Sequence, residues 1–169
     1  MTLRIALGRA SLSRHLLARL ICMGDDGAMA KVKILFVCMG NCVRSQMAEA
    51  LAKHHFADVF EAESAGLRPL GFIDPTARAV VEERGVSMEG QFSKGLHDHC
   101  LDLPDLIVNM SGLSGPGIFH GHKVEDWKIA DPFGEDLAVH RRICDDIEAR
   151  IKELAARLRD GEKERSAGA

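Results

Sequence analysis

The chain has no tyrosine, one tryptophan and seven phenylalanines among its 169 residues. Any ring contact therefore has to come from Phe or Trp127. No apolar run has the length and composition of a membrane span. Neither sign of charge prevails: 22 basic and 25 acidic residues leave a formal charge of -3. That balance argues against general binding to nucleic acid or to a membrane surface, but does not bear on a local anion site. Five cysteines, an odd number, occur without a secretory leader. This argues against a disulfide scaffold and for a reducing compartment, the cytoplasm, in which a disulfide would serve chemistry rather than stability. No internal repeat and no domain-separating linker is visible, and the length suits one domain with a real core.

Residues 1–30 stand apart, with Arg4, Arg9, Arg14 and Arg19 and no acid before Asp25. They read either as a basic amphipathic, targeting-like extension or as a mis-called start ahead of Met29. The domain itself is expected over residues 31–161, with a polar tail at 162–169. "KILFVC" (33–38) has the short, continuous apolar pattern of a buried parallel strand. A helix is expected over Ser45–Phe56, a second strand over Phe60–Ser64, and a helix opened by Asp74-Pro75 and stopped at Gly85. Ser93 is expected to cap a short helix through Leu101. Pro104–Met110 reads as the third strand and residues 111–121, with four glycines, as a loop holding at most one helical turn. "KVEDW" is a short strand or its approach, and Asp136–Asp160 is the longest helix, ended by Gly161. The order predicts a single α/β domain whose function lies at the carboxyl ends of its strands.

Cys38 ends the first strand. Met39, Gly40, Asn41, Cys42 and Val43 separate it from Arg44, and Ser45 follows. A loop of that length can curl into a cup whose N–H groups point inward, with a helix N-terminus at its rim. A tetrahedral oxyanion fits such a cup, Arg44 can offer it a planar fork of donors, and Cys38 would lie on the floor. The same field favours the thiolate, and Ser45 can donate to it. Gly40 would accept a strained loop conformation, and Asn41 could pin the loop through its side chain. The pattern differs from a nucleotide-binding P-loop, which needs GxxxxGK[ST], and from CxxC.

"FVCMGNCVRSQMAEA" resembles the signature of the low-molecular-weight protein tyrosine phosphatase superfamily, which includes thioredoxin-coupled arsenate reductases. "ESAG" (63–66), "IDPTARAVVEERGVSMEGQFSK" (73–94) and "DWKIADPFG" (126–134) extend the likeness over nearly all of residues 32–158. The resemblance implies a three-layer domain with a four-stranded parallel sheet flanked by helices and a phosphate-binding loop, residues 39–45, after the first strand. It implies Cys38 as nucleophile, Arg44 as the oxyanion ligand and Asp131 as general acid. An acid is what cleavage of a phosphoester by a thiolate requires, because the leaving oxygen must be protonated. Pro132 would stiffen the backbone that carries it.

Two departures from that pattern matter. The second loop cysteine, Cys42, lies one residue earlier than usual, with Val43 directly before Arg44. The tyrosines that commonly follow the Asp-Pro pair are replaced by Phe133-Gly134, so a substrate wall is sought in Phe133, Trp127 or Phe119. Phosphomonoester hydrolysis is the first functional reading, acting on a phosphorylated protein or a small phosphomonoester. Arsenate reduction is the second. The segment where the family's reductases carry two further cysteines, "VNMSGLSGPG" (108–117), has none. Cys42, Cys100, glutathione or thioredoxin would then have to supply the second thiol. A non-catalytic phosphate-binding protein is the third reading. No cofactor is implied. In "HDHC", His97, His99 and Cys100 would diverge on a helix, so no metal site is expected there. His120 and His122 flank Gly121 and read as solvent-facing loop residues.

Overall fold

The computed structural model describes residues 31–98 and 103–167. Strand β1 (Val32–Cys38) leads into helix α1 (Arg44–His55), and β2 (Phe60–Gly66) into α2 (Pro75–Glu82). Strand β3 (Leu106–Asn109), the single-turn α3 (Gly115–Ile118), β4 (Val124–Asp126) and the long α4 (Leu137–Ala167) complete the order. The four strands form one sheet in the order β2-β1-β3-β4, and every pair is parallel. This is the α/β architecture expected from the alternation of strand and helix patterns. No described helix is long and apolar enough to cross a membrane.

The pleat explains why "KILFVC" has no polar alternation. Ile34, Phe36 and Cys38 face one layer, where Met47 and Leu51 of α1, Val80 and Val81 of α2, and Ile143, Ile147 and Ile151 of α4 close over them. Leu35 and Val37 face the other layer and pack with Ala65, Ile107 and Phe119. A strand covered on both sides must be apolar along its whole length. Because β1 is paired with β2 on one side and β3 on the other, the chain winds away in both directions from it. The crevice at that reversal, beyond the carboxyl end of β1, is where such sheets hold ligands.

Capping side chains open two of the four described helices. The Asp74 carboxylate accepts from Thr76 N (2.8 Å) and Ala77 N (3.0 Å), with Pro75 at the first helical position. Asp136 does the same for Val139 N at 2.9 Å. Two expectations are corrected. Ser93 opens no helix over residues 93–98: its hydroxyl donates to Gly40 O and accepts from Gly71 N, both at 3.2 Å, stapling two loops. Residues 99–102 lie outside the described residues. Gly161 does not end α4, which runs through it to Ala167. Gly161 lacks the positive φ of a helix-ending glycine, and the following Glu-Lys-Glu-Arg are good helix formers.

Candidate active site

Helix α1 begins at Arg44 with Val43 before it, and no side chain caps its first turn. That leaves its N-terminus directed at the loop from Met39 to Val43. Cys38, at the end of β1, is 2 % exposed. Its sulfur lies 3.0 Å from Ser45 Oγ. Ser45 Oγ also accepts from Asn41 Nδ2 at 2.9 Å, so its own hydrogen is free to point at Cys38 Sγ.

The loop's strained residue is Asn41, with φ 45°, and Gly40 has no positive φ, which corrects the expected assignment. Gly40 instead lies close to its neighbours: a Cβ there would come within 3.1 Å of Cys42 Sγ and of the Leu70 side chain, tighter than an ordinary contact. The Asn41 side chain is fully buried and used at both ends. Its Oδ1 accepts from Lys94 N (2.7 Å) and Gln46 Nε2 (2.8 Å), and its Nδ2 donates to Ser64 Oγ (2.8 Å) as well as Ser45. Gly66 lies behind it, where a Cβ would meet Asn41 N and Cβ at 2.9 Å.

Arg44 is buried, its side chain only 5 % exposed. Nη1 donates to Met110 O (2.8 Å) and Ile129 O (3.3 Å), which ties α1 to the ends of β3 and of the segment after β4. Nη2 pairs with the Asp131 carboxylate, whose other oxygen accepts from Phe133 N at 3.2 Å. Nε is buried without a partner. An unpaired buried guanidinium donor is costly, and an oxyanion in the cup is the chemistry that would satisfy it.

The structure thus brings Cys38, Arg44, Ser45 and Asp131 into one cluster. It separates the three aromatics read as a wall. Phe119 packs on the opposite face of the sheet with Leu35, Val37 and Ile107, so it is core. Trp127 is also buried, 6.1 Å from Phe36 ring to ring, and lines a cavity of about 470 Å³ with Asn109, Leu113, Ser114 and Ala130. Phe133 alone is exposed, its ring 6.4 Å from that of Phe72. Phe72 and Leu70 are exposed too, and Leu70 N donates to Gly40 O at 3.0 Å. These two rim residues were not singled out in the sequence. The signal was an apolar pair, Leu70 and Phe72, in the loop after a strand that neighbours β1.

The remaining thiols are poorly placed for reaction. Burial, aided by Cys38, Asp131 and Asp74, pushes the Cys42 thiol up to about 11 against the partial relief of Arg44. Burial pushes Cys144 on α4 up to about 11 as well. Cys100 and His99 lie outside the described residues, and His97, His120 and His122 are exposed.

A sequence model described as "Low molecular weight phosphotyrosine protein phosphatase" matches residues 33–114. A glutaredoxin arsenate reductase of Synechocystis sp. is 33% identical over 129 residues, which are 75% of this chain and 98% of that protein. The chain belongs to the low-molecular-weight protein tyrosine phosphatase superfamily. Among solved structures, an arsenate reductase in the phosphate-binding state superposes with a TM-score of 0.68 at 33% identity, over 75% of this chain and 98% of that one. The YwlE arginine phosphatase from Geobacillus stearothermophilus does so with 0.65 at 28% identity, over 79% of this chain and 96% of that one. One scaffold in this superfamily thus carries both phosphatases and arsenate reductases, with chemistry at a cysteine nucleophile.

Proposed function

We propose that this superfamily member is a phosphomonoester hydrolase of the protein tyrosine phosphatase type, acting through a cysteinyl-phosphate intermediate. The observation that carries this choice is the state of the other thiols. Among the described residues, Cys42 and Cys144 are buried and held protonated, so neither is ready to resolve an adduct on Cys38. Water can do so if an acid–base group stands beside the cup, and Asp131 is there.

In this reading the phosphate dianion enters the cup and takes the free Nε and the Nη2 of Arg44. Asp131 gives up its guanidinium partner to the anion, which frees the carboxyl for the leaving oxygen. The Cys38 thiolate attacks phosphorus while Asp131 gives its proton to the leaving oxygen. The carboxylate then takes a proton from water, whose oxygen attacks the thiol-phosphate, and the thiolate departs again. Ser45 stabilises that departing charge. Leu70, Phe72 and Phe133 form an apolar rim that suits a flat aryl group, as in phosphotyrosine. The chemistry is assigned to residues 31–161, with residues 1–30 as an extension, in a cytoplasmic protein.

A second reading is arsenate reduction with thioredoxin or glutathione as the resolving thiol. The likeness to a glutaredoxin arsenate reductase supports it.

Initial rates separate the two. p-Nitrophenyl phosphate, phosphotyrosine and phosphoarginine would be run beside arsenate, the last with thioredoxin and with glutathione–glutaredoxin. Hydrolysis without a thiol donor is expected. Cys38→Ser should abolish it while retaining vanadate binding. Rapid arsenate reduction with no ester hydrolysis would overturn the first reading, and full activity in Cys38→Ser would remove the mechanism.

A further inference from the structure

The hydrogen bonds behind the nucleophile loop continue into a buried ion pair that the chemistry above does not use. Ser64, on β2, is fully buried; it receives Asn41 Nδ2 and donates its own hydrogen to Glu49 Oε2 at 2.5 Å. Glu49 lies on α1, its side chain 3 % exposed. Lys94 Nζ reaches Oε2 at 3.1 Å and Lys53 Nζ reaches Oε1 at 2.5 Å. Lys94, 7 % exposed, is the buried member of that pair of cations, and Lys53 is half exposed.

Lys94 acts on Asn41 from two directions. Its main-chain N–H donates to Asn41 Oδ1, and its ammonium holds the carboxylate that orients Ser64 toward Asn41 Nδ2. A backbone N–H can only donate, so the contact with Oδ1 also fixes which end of the amide faces Ser45. Asn41 is the one residue of the loop in the left-handed region, a conformation that persists only when its surroundings hold it. A buried ion pair is itself no gain in stability over a packed apolar pair. Its presence here calls for a different explanation, and the Asn41 amide supplies one.

We infer that Glu49 and Lys94 are positioning residues for the nucleophile: together they hold both ends of the Asn41 side chain, and through it aim the Ser45 hydroxyl hydrogen at Cys38 Sγ. The inference rests on the reading of Cys38 as nucleophile. Arg44 on α1, and Cys42, Asp74 and Asp131 around the loop, also act on this region through their fields. Lys53 faces Glu49 from the same helix. The first four keep their contacts on substitution at Glu49 or Lys94, and half-exposed Lys53 loses at Glu49→Gln only a partner that water can replace.

The test is alkylation of Cys38 by iodoacetamide across pH, followed by peptide mapping, in the full chain. It reads the thiolate without requiring turnover. In Lys94→Gln the pH midpoint of alkylation should move upward, and the rate at a fixed pH below it should fall by about 3–10-fold, the size of a weakened hydrogen bond to a charged group. Lys94→Arg should restore most of the rate. Glu49→Gln alone strands a buried ammonium and endangers folding. Glu49→Gln with Lys94→Met strands no buried cation and should show the same upward shift. A purely structural role would lower the unfolding temperature and leave the midpoint in place. A folded Lys94→Gln protein or folded double variant with the wild-type midpoint would therefore overturn the inference, as would failure of Lys94→Arg to restore the rate. Alkylation that maps to a cysteine other than Cys38 would overturn both the inference and the reading beneath it.

Discussion

Residues 41–46 are buried without exception, and the side chains of Asn41, Ser45 and Gln46 spend their polar atoms on one another and on the chain behind them. Of residues 131–136 only Pro132 is buried. Asp131 itself is 47 % exposed and held by Arg44 and one backbone N–H. The first loop is fixed by its own hydrogen bonds, so its shape does not depend on a ligand's arrival. The second is held by the Arg44 contact, which in the proposed reaction an incoming anion replaces. Arg44 belongs to both, since its Nη1 ties down the backbone at Met110 and Ile129 while its Nη2 is lent to Asp131. The rigid loop can thus fix where the oxyanion sits, and the exchangeable loop can answer its arrival with a proton.

The largest expected effect comes from breaking the exchangeable side. Asp131→Asn should lower turnover of phenyl or alkyl phosphates by ~10²–10⁴, the usual worth of a general acid. The loss should shrink as the leaving group becomes more acidic, because such a group departs unprotonated. The same variant should bind phosphate and vanadate more tightly, since Arg44 no longer has a charged competitor. Its unfolding temperature should fall modestly, because buried Arg44 loses a charged partner while the half-exposed amide in its place can still accept from Nη2. Rates over a short series of aryl phosphates and an inhibition constant for phosphate check both halves. A loss independent of the leaving group would sink the acid assignment.

Breaking the rigid side should look different. Gly66 pairs with Cys38 across β1 and β2, and its missing Cβ makes room for the backbone of Asn41. In Gly66→Ala the new methyl would meet backbone rather than a flexible side chain, so the loop itself must move. A destabilisation of about 1–3 kcal/mol is expected, the common cost of overpacking. Turnover should fall with every leaving group alike, and phosphate binding should weaken. Thermal unfolding and the same aryl phosphate series would measure it. Unchanged stability and turnover would mean that the loop is not held as tightly as its contacts imply.

The two loops also differ in how far the sequence reveals them. Cys38, Arg44 and Ser45 are legible because a spacing of a few residues between a strand and a helix nearly dictates their geometry. The sheet and its central strand are legible for a similar reason: an apolar run with no alternation has to be covered on both faces. The features that stay hidden depend on contacts far along the chain. Asn41 rather than Gly40 takes the left-handed conformation because Lys94, Ser64 and Gln46 supply partners for its amide, and two of these are distant in sequence. Phe119 and Phe133 are alike as residues, yet one fills the layer under Leu35 and Val37 and the other stands in solvent beside Phe72. Nothing local separates them. Ser93 has the local pattern of a helix cap, and its hydroxyl is instead needed by Gly40 and Gly71.

The smallest effect sharpens the comparison by measuring how strongly one loop feels the other. Cys42 sits in the rigid loop, and Asp131 in the exchangeable loop is one of the charges that push its thiol up to about 11. Burial is the larger cause there, and burial is the first cause for Cys144 as well, where Asp131 plays no part. Both thiols have a higher pKa in the folded protein than the 9.0 of an unburied cysteine. Below pH 9 folded and unfolded chains both keep these protons, and the stabilisation is fully present. Between about 9 and 11 the unfolded chain releases them and the native one does not, so the free energy of unfolding falls as pH rises through that window. Urea midpoints taken at steps across it should decline in the wild type, and less steeply in Cys144→Ala. Asp131→Asn removes one of the charges acting on Cys42 and none acting on Cys144. It should make the decline slightly shallower and should let maleimide reach reaction with Cys42 at a somewhat lower pH, leaving Cys144 as it was. If Asp131→Asn left the Cys42 profile untouched, the two loops would be electrically independent, and Arg44 would be joining them only as a brace.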